Sequence, residues 1–575
     1  MSGLPPRVER QSIIDRQSLW LVEAWERGRQ ALPYLPIPLL VIAMVFAGVV
    51  GALIPDFGPL VPAGIIGGIV AAVAFLRPSI GLFLFAFMLF SRLSENLTTF
   101  VNVPSIAPIF AVFLLTGLVA REGLGSLFRS RRRYWQPIAA YGLVMLASVF
   151  VAVNQQAATQ TITDLVKDLV FVLVVILYAR RYVDVRVLIW AMISAGFVAS
   201  CLTVYQAVSG NDFTFFGLAQ TSAAIVVPGE IEEVPRPSGY VGDPNFYALS
   251  LLPLVPLALH RARYELHRGM RWFAGFVALL LPIAIFMTYS RGAYLALLVV
   301  LAGLVYFGFV KLRAIGIAAL VFVLLLPVLP EEYSGRLSTI GDATGAVFGS
   351  DAPSGGEPAD TSVSGRIAEV LAGVYMFTDY PLLGVGVSNY PEYYQEYARP
   401  LGIRTRAQRN AHSLIVEVAA ETGVLGLVTF LALVTLLFLW LRGVMMSEEQ
   451  SPELRDLARV LIVALAGFLA AIMFLHGAYP RFFWVLVALI IVVHSQAFTR
   501  LERRPMPRLG MVRPLSPVVT PMGRHRARLA LGVVATTSVA VVAVLLVNQQ
   551  LAARDYPLLS RGSTSALALS PADVQ

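Results

Sequence analysis

Long apolar runs, broken by short polar stretches, recur along the chain from residue 35 to residue 548. A helix crossing about 30 Å of hydrocarbon needs roughly 20 such residues. Fifteen candidates meet or approach that length: 35–54, 59–76, 79–93, 104–120, 134–153, 162–179, 187–208, 245–261, 273–289, 293–310, 313–329, 413–441, 457–475, 482–498 and 528–548. The third is short enough for a re-entrant turn. The pattern therefore predicts an all-α polytopic membrane protein with 14–15 transmembrane helices.

Composition agrees. A soluble chain carries about 25% charged residues; this one carries 14%, with 57% hydrophobic residues and a mean hydropathy of +0.73. A soluble core of 575 residues is excluded. The lone cysteine, Cys201, lies in an apolar run, which excludes a disulfide framework or a Cys-rich metal site. Residues 1–34 mix arginines with acids and read as a cytoplasmic lead, not a cleaved signal.

The net charge of +9 is a topology signal. With the N-terminus inside, the basic loops 121–133, 180–186, 260–271, 311–313 and 499–528 fall on one side, as cytoplasmic loops do. The loops 55–58, 154–160, 209–244 and 330–411 fall on the other. This distribution argues against nucleic acid as a partner. The expected order is a lead (1–34), a first bundle (35–329), a large external loop (330–411), a second bundle (412–498), a basic cytoplasmic loop (499–527), a last helix (528–548) and an external tail (549–575).

The loop 330–411 opens with a Gly/Ser/Asp/Pro-rich stretch over 341–362. Ile367, Val370, Leu371, Val374 and Phe377 then fall at helical spacing, which predicts an amphipathic helix over 364–379, stopped at Tyr380-Pro381, on the membrane surface or over the bundle. Tyr390, Tyr393, Tyr394 and Tyr397 follow, as an interfacial belt or a sugar-stacking surface.

Polar residues at membrane edges are candidate functional groups. Four segments stand out on the predicted outer side. Ser290-Arg291-Gly292 forms a turn between two apolar runs. In RPSGYVGDPNFYAL (236–249), Asp243 caps a helix beginning at Pro244, which leaves Arg236 and Asn245 unexplained. Arg366 opens the amphipathic helix. His412-Ser413 opens another, with Gly423 and Gly426 read as a close-packing face beneath the histidine. Arginines without carboxylate partners imply an anionic ligand such as a lipid phosphate or pyrophosphate. A histidine beside them implies a hydroxyl to activate.

These motifs, in order, resemble the O-antigen ligase/O-antigen polymerase family of bacterial membrane glycosyltransferases. His412-Ser413, nine residues, Gly423, two residues and Gly426 resemble its ligase-type pattern, with Glu421 as the acid before the glycine. Ser290-Arg291-Gly292 resembles its arginine turn, 364–390 its external-loop segment ending in Pro-Leu-x-Gly-x-Gly, and 236–248 its Arg…Gly…Pro-Asn stretch. The similarity covers about 230–430.

The resemblance implies a bundle of the GT-C type in a bacterial inner membrane, working without metal, cofactor or nucleotide sugar. The partners would be an undecaprenyl-pyrophosphate-linked glycan donor, an acceptor hydroxyl on a glycan, lipid or protein, and membrane lipid. Arg291 and Arg366 would hold the pyrophosphate, and His412 would be the base or orient the acceptor. Arg236, Asn245, Ser290, Ser413, Glu421 and Tyr390 are the substrate-binding candidates. The chain departs from the family in its larger number of spans, its external tail and its Gly/Ser/Asp-rich insert.

Ligase and polymerase share these motifs. A transporter or flippase of an anionic lipid-linked solute stays open on one feature: Lys167 and Asp168 lie within the sixth span, as a paired site or, preferably, an internal salt bridge.

Overall fold

The computed structural model describes residues 78–502 apart from 102–104, 109, 112–113, 115–131, 180–181, 210–212, 227–232, 317–360, 400–408, 474 and 476–480. The expected spans 35–54, 59–76 and 528–548, most of 313–329, the insert at 341–362 and the tail at 549–575 lie outside these residues.

The first half of the bundle comprises α1 (Pro78–Phe90), α2 (Leu93–Val101), α3 (Arg132–Ser148), α4 (Gln155–Tyr178) and α5 (Tyr182–Ser209). A two-stranded hairpin, β1 (Gln220–Val226) and β2 (Glu233–Gly239), precedes α6 (Pro244–Leu251), α7 (Leu254–Tyr264), α8 (Arg268–Met287) and α9 (Arg291–Tyr306). Then come α10 (Thr361–Asp379), α11 (Tyr390–Ala398), α12 (Leu414–Met446), α13 (Pro452–Ile472) and α14 (Arg481–Glu502). Five helices are long and apolar enough to cross a membrane: α3 continued by the 3-10 turn Val149–Val151, and segments of α5, α8, α12 and α14. The pair α1–α2 would make a sixth, bent by 56° at its break. The protein is thus an all-α polytopic membrane protein in its bundle, with five or six such spans among the described residues.

Three expected spans have a different form. The run 245–261 is divided into α6 and α7, because Pro253 and Pro256 each lack an amide hydrogen for a continuous helix. The run 162–179 is the second half of the longer α4, whose first half is polar; only Leu169–Tyr178 is uniformly apolar. The run 293–310 folds as the shorter α9. The hairpin was not expected. β1 and β2 are antiparallel, with Ser222 opposite Arg236 and Ile225 opposite Val234.

α1 packs on α5, α5 on α8, α9 on α13, α14 on α4, and α12 between α3 and α13. Phe483 of α14 lies 5.8 Å from Phe430 of α12 and 6.2 Å from Phe468 of α13, which puts aromatic rings at the centre. Charge pairs stitch the bundle. Arg481 at the start of α14 binds Glu95 of α2 at 2.5 Å and Asp168 of α4 at 2.9 Å. Lys167 pairs with Asp164, one turn back, at 2.7 Å. The expected Lys167–Asp168 pair is therefore replaced by two others: neighbouring residues on a helix point about 100° apart and do not face each other.

α12 is not a continuous helix. Gly423 sits at φ 64°, ψ −163°, and breaks it. The carbonyls of Ala420 and Glu421 would ordinarily accept from the amides of Val424 and Leu425. Instead they accept from Val385 (2.8 Å) and Gly386 (3.0 Å), while Val424 and Leu425 donate to Pro381 (2.7 Å) and Leu382 (3.5 Å). The Pro381–Gly386 segment is thus inserted into the helix, exchanging one set of backbone bonds for another. Gly384 (φ 66°) faces it, and a Cβ there would lie 2.3 Å from the Ala420 oxygen; one on Gly423 would lie 2.4 Å from the Leu382 carbonyl. Only glycine tolerates both the dihedral and the approach. The expected Gly423/Gly426 packing face is accordingly a helix break, and a Cβ on Gly426 would meet Thr422 of its own helix.

Candidate functional site

α10 forms over Thr361–Asp379 and ends before Tyr380-Pro381, as expected. Its packing face differs from the expected one. Ala368, Glu369, Ala372 and Met376 are buried, whereas Val370, Leu371 and Val374 of the apolar stripe are exposed. The small residues allow the closer approach: a Cβ on Gly373 would fall 2.3 Å from Val416 of α12. One carboxylate, Glu369, is carried into this interface.

Glu369 is the centre of a cluster. Its Oε1 accepts from Arg409 Nη1 at 2.8 Å. Its Oε2 lies 2.9 Å from His412 Nδ1. The same nitrogen makes a hydrogen bond of 3.0 Å with the carbonyl of Asn410. Both neighbours of Nδ1 are acceptors, so Nδ1 carries the hydrogen and the basic lone pair of the neutral ring is on Nε2. The imidazole is half-buried at 31% exposure and the carboxyl is 1% exposed. His412 itself has φ 42°, in the left-handed region. A non-glycine residue held there costs on the order of 1–3 kcal/mol, and such strain clusters at functional sites.

Tyr390 supports the cluster from below. It is buried, its hydroxyl donates to the Glu369 backbone carbonyl, and its ring stacks on Tyr394 at 6.1 Å. Burial, with Glu369 nearby, pushes its pKa up, so the hydroxyl keeps its proton as a donor. Glu421 is also buried: Oε2 accepts from the amide of Ser388 (2.8 Å) and Oε1 from that of Tyr390 (3.3 Å), at the start of α11. Ser413 is the N-cap residue of α12 and is buried, with no side-chain capping bond. Glu421, Tyr390 and Ser413 therefore shape the ground on which His412 sits. Tyr390 and Tyr394, being buried, are neither an interfacial belt nor a sugar-stacking surface. Asn154 of the α3–α4 turn clamps the other side: its amide donates to Asn389 Oδ1 at 2.6 Å.

A second cluster lies where β2, α6 and the α8–α9 corner meet. Asp243 caps α6 as expected, accepting from the amides of Asn245 (2.8 Å) and Phe246 (3.0 Å). Arg236 donates through Nε (3.1 Å) and Nη2 (2.9 Å) to the Thr288 carbonyl, and through Nη2 to Asn245 Oδ1 at 3.5 Å. Ser290 caps α9, accepting from the Ala293 amide at 3.4 Å. Arg291 follows as the first residue of α9 with its side chain exposed, and Tyr289 before it has φ 56°. The arginine and asparagine that the cap left unexplained are thus braces of the corner carrying Arg291. Arg366 is placed in the second turn of α10 by its backbone; its side chain lies outside the described residues.

The sequence reading missed Glu369, Arg409 and Asn154. A signal was present for the first: Glu369 is one turn beyond Arg366 in a helix otherwise apolar through Met376.

Residues 276–431 match the model of the O-antigen ligase family. The match runs from within α8 to within α12, taking in Ser290, Arg291, Arg366, Glu369, His412, Glu421 and Gly423; Arg236 and Asn245 fall outside it. No curated protein matches the chain. The family match supports a glycosyltransferase-like role in polysaccharide assembly, by glycan transfer or polymerisation, and with the apolar helices it supports a membrane location.

Proposed function

We propose that the protein is a membrane glycosyltransferase of the O-antigen ligase type, which moves a glycan from an undecaprenyl-pyrophosphate-type carrier to an acceptor hydroxyl. The observation that carries this reading is His412, whose Nδ1 faces the Glu369 carboxylate and the Asn410 carbonyl, within the stretch matched by the family model.

In the reaction, the acceptor oxygen attacks the anomeric carbon as its proton passes to His412 Nε2. The bond from that carbon to the pyrophosphate oxygen breaks, and its electron pair leaves with the lipid pyrophosphate. Attack opposite the leaving group inverts the centre. Arg291 and Arg366 neutralise the leaving charge, so the scheme is metal-independent. Each charge-assisted contact is worth about 1.5–3 kcal/mol, and general base help about 10²–10⁴-fold. The loop charges support an arrangement with the N-terminus cytoplasmic, the site on the external or periplasmic face of the inner membrane, and 330–411 as the external loop.

The test is mass spectrometry of envelope glycans from a deletion strain, complemented with wild type or with His412→Ala. Long glycan retained on the lipid carrier, relieved only by wild type, is the expected result. Single repeat units retained instead would assign a polymerase. An unchanged glycan profile would overturn both.

A further inference from the structure

We propose that Glu369 is a positioning residue for His412: it helps hold the imidazole with its hydrogen on Nδ1 and offsets the positive charge that the ring gains when Nε2 takes a proton. This rests on the reading of His412 as the base.

The geometry is that of an acid–histidine pair. Glu369 is 1% exposed, Oε1 is engaged by Arg409, and Oε2 stands 2.9 Å from His412 Nδ1. Oε2 receives no hydrogen bond of its own among the described residues, because the Nδ1 hydrogen is directed to the Asn410 carbonyl beside it. A buried carboxylate oxygen without a donor is costly, and a structure retains one where it has a use. Here it is aimed at Nδ1, over which the positive charge spreads when Nε2 on the opposite side of the ring is protonated. Glu369 is also fixed from behind. The Tyr390 hydroxyl binds its backbone carbonyl, and the adjoining small face of α10 packs on α12. The carboxylate cannot turn away, and neither can the ring without leaving both acceptors. A carboxylate so placed selects the tautomer and stabilises the imidazolium without receiving the proton.

The experiment uses the full chain in liposomes, labelled with [15N]histidine. Solid-state 15N spectra are compared with those of His412→Asn to isolate the His412 signals. Transfer is measured with undecaprenyl-pyrophosphate-linked glycan extracted from a strain lacking the protein. The wild-type spectrum is expected to show the neutral ring of His412 protonated on Nδ1. Glu369→Gln is expected to lower kcat by about 10²-fold, the lower range of general base help, with KM for the donor near its wild-type value. Glu369→Asp, which keeps the charge, should recover part of the loss. Wild-type protein with its hydrogen on Nε2, or Glu369→Gln with wild-type kcat, would overturn the proposal. Wild-type transfer by His412→Ala would instead overturn the base itself, so the two failures are distinct. The tautomer is read on unaltered protein, so poor folding of the Glu369 variants leaves that test intact.

Discussion

The amide of Val385 donates to the carbonyl of Ala420 at 2.8 Å, a bond that an unbroken α12 would give to Val424. Through this and its three companions the Pro381–Gly386 segment and the histidine-bearing helix complete each other's backbone. The two glycine-containing motifs that flank the site are two halves of one junction.

The junction predicts that alanine at Gly384 or Gly423 is severely destabilising. Each has φ near 65°, and each Cβ would meet backbone at 2.3–2.4 Å. The positive-φ backbone alone costs a non-glycine residue on the order of 1–3 kcal/mol, and the clash adds to it. Thermal unfolding in detergent should show both single variants well below wild type. The double variant should fall short of the sum, since one displaced segment relieves both. Near-wild-type stability of Gly384→Ala would contradict the insertion.

Glu421→Ala should loosen the start of α11. It leaves the half-buried amide of Ser388 and the buried amide of Tyr390 without their acceptor, at about 1–3 kcal/mol for the buried group. Hydrogen exchange at 388–390 should accelerate while α13 is unaffected.

Arg236 and Arg291 should separate. Arg291→Ala removes an exposed side chain at the start of α9, so transfer should fall roughly 10–100-fold with little loss of stability. Arg236→Ala removes the fork on the Thr288 carbonyl and Asn245, so stability should fall by about 1.5–3 kcal/mol, with activity lost in parallel. Thermal melts beside the transfer assay decide it; unchanged stability of Arg236→Ala would refute its bracing role.

Arg481→Ala should be worse than Asp168→Ala. The first strands Asp168 and leaves Glu95 with Arg92 alone, at 2.6 Å, whereas the second leaves Arg481 paired with Glu95. Breaking a buried pair from one side costs about 3–5 kcal/mol. Folded yield in membranes and the unfolding midpoint should rank the variants in that order.

The apolar runs made the bundle legible in the sequence, because membrane spans need little beyond length and hydropathy. His412, Arg291 and Arg236 were legible because charge and polarity are scarce in such a chain. What was not legible follows from particular contacts. Gly423 looked like a packing glycine because periodicity carries no information about a segment inserted from 40 residues away. The face of α10 was misjudged because Ala368, Ala372 and Gly373, which permit the closest approach, score below the larger Val370 and Val374 in any hydropathy pattern. Glu369 escaped because its partners, Arg409 and His412, are 40 and 43 residues on. Lys167 and Asp168 looked like a pair because adjacency in sequence is not adjacency around a helix.

The break at Gly423 also divides α12 by cooperativity. Residues Leu414–Thr422 share their terminal backbone bonds with Pro381–Gly386, and the residues beyond Gly423 share theirs with the same segment from the other side. When that segment lets go, the turns carrying His412 fray with it, while the remainder of α12 stays packed on α3 and α13. The histidine therefore opens and closes as part of a local folding unit that includes the loop. The amides of Glu417–Thr422 should exchange with Val385 and Gly386 and not with the remainder of α12.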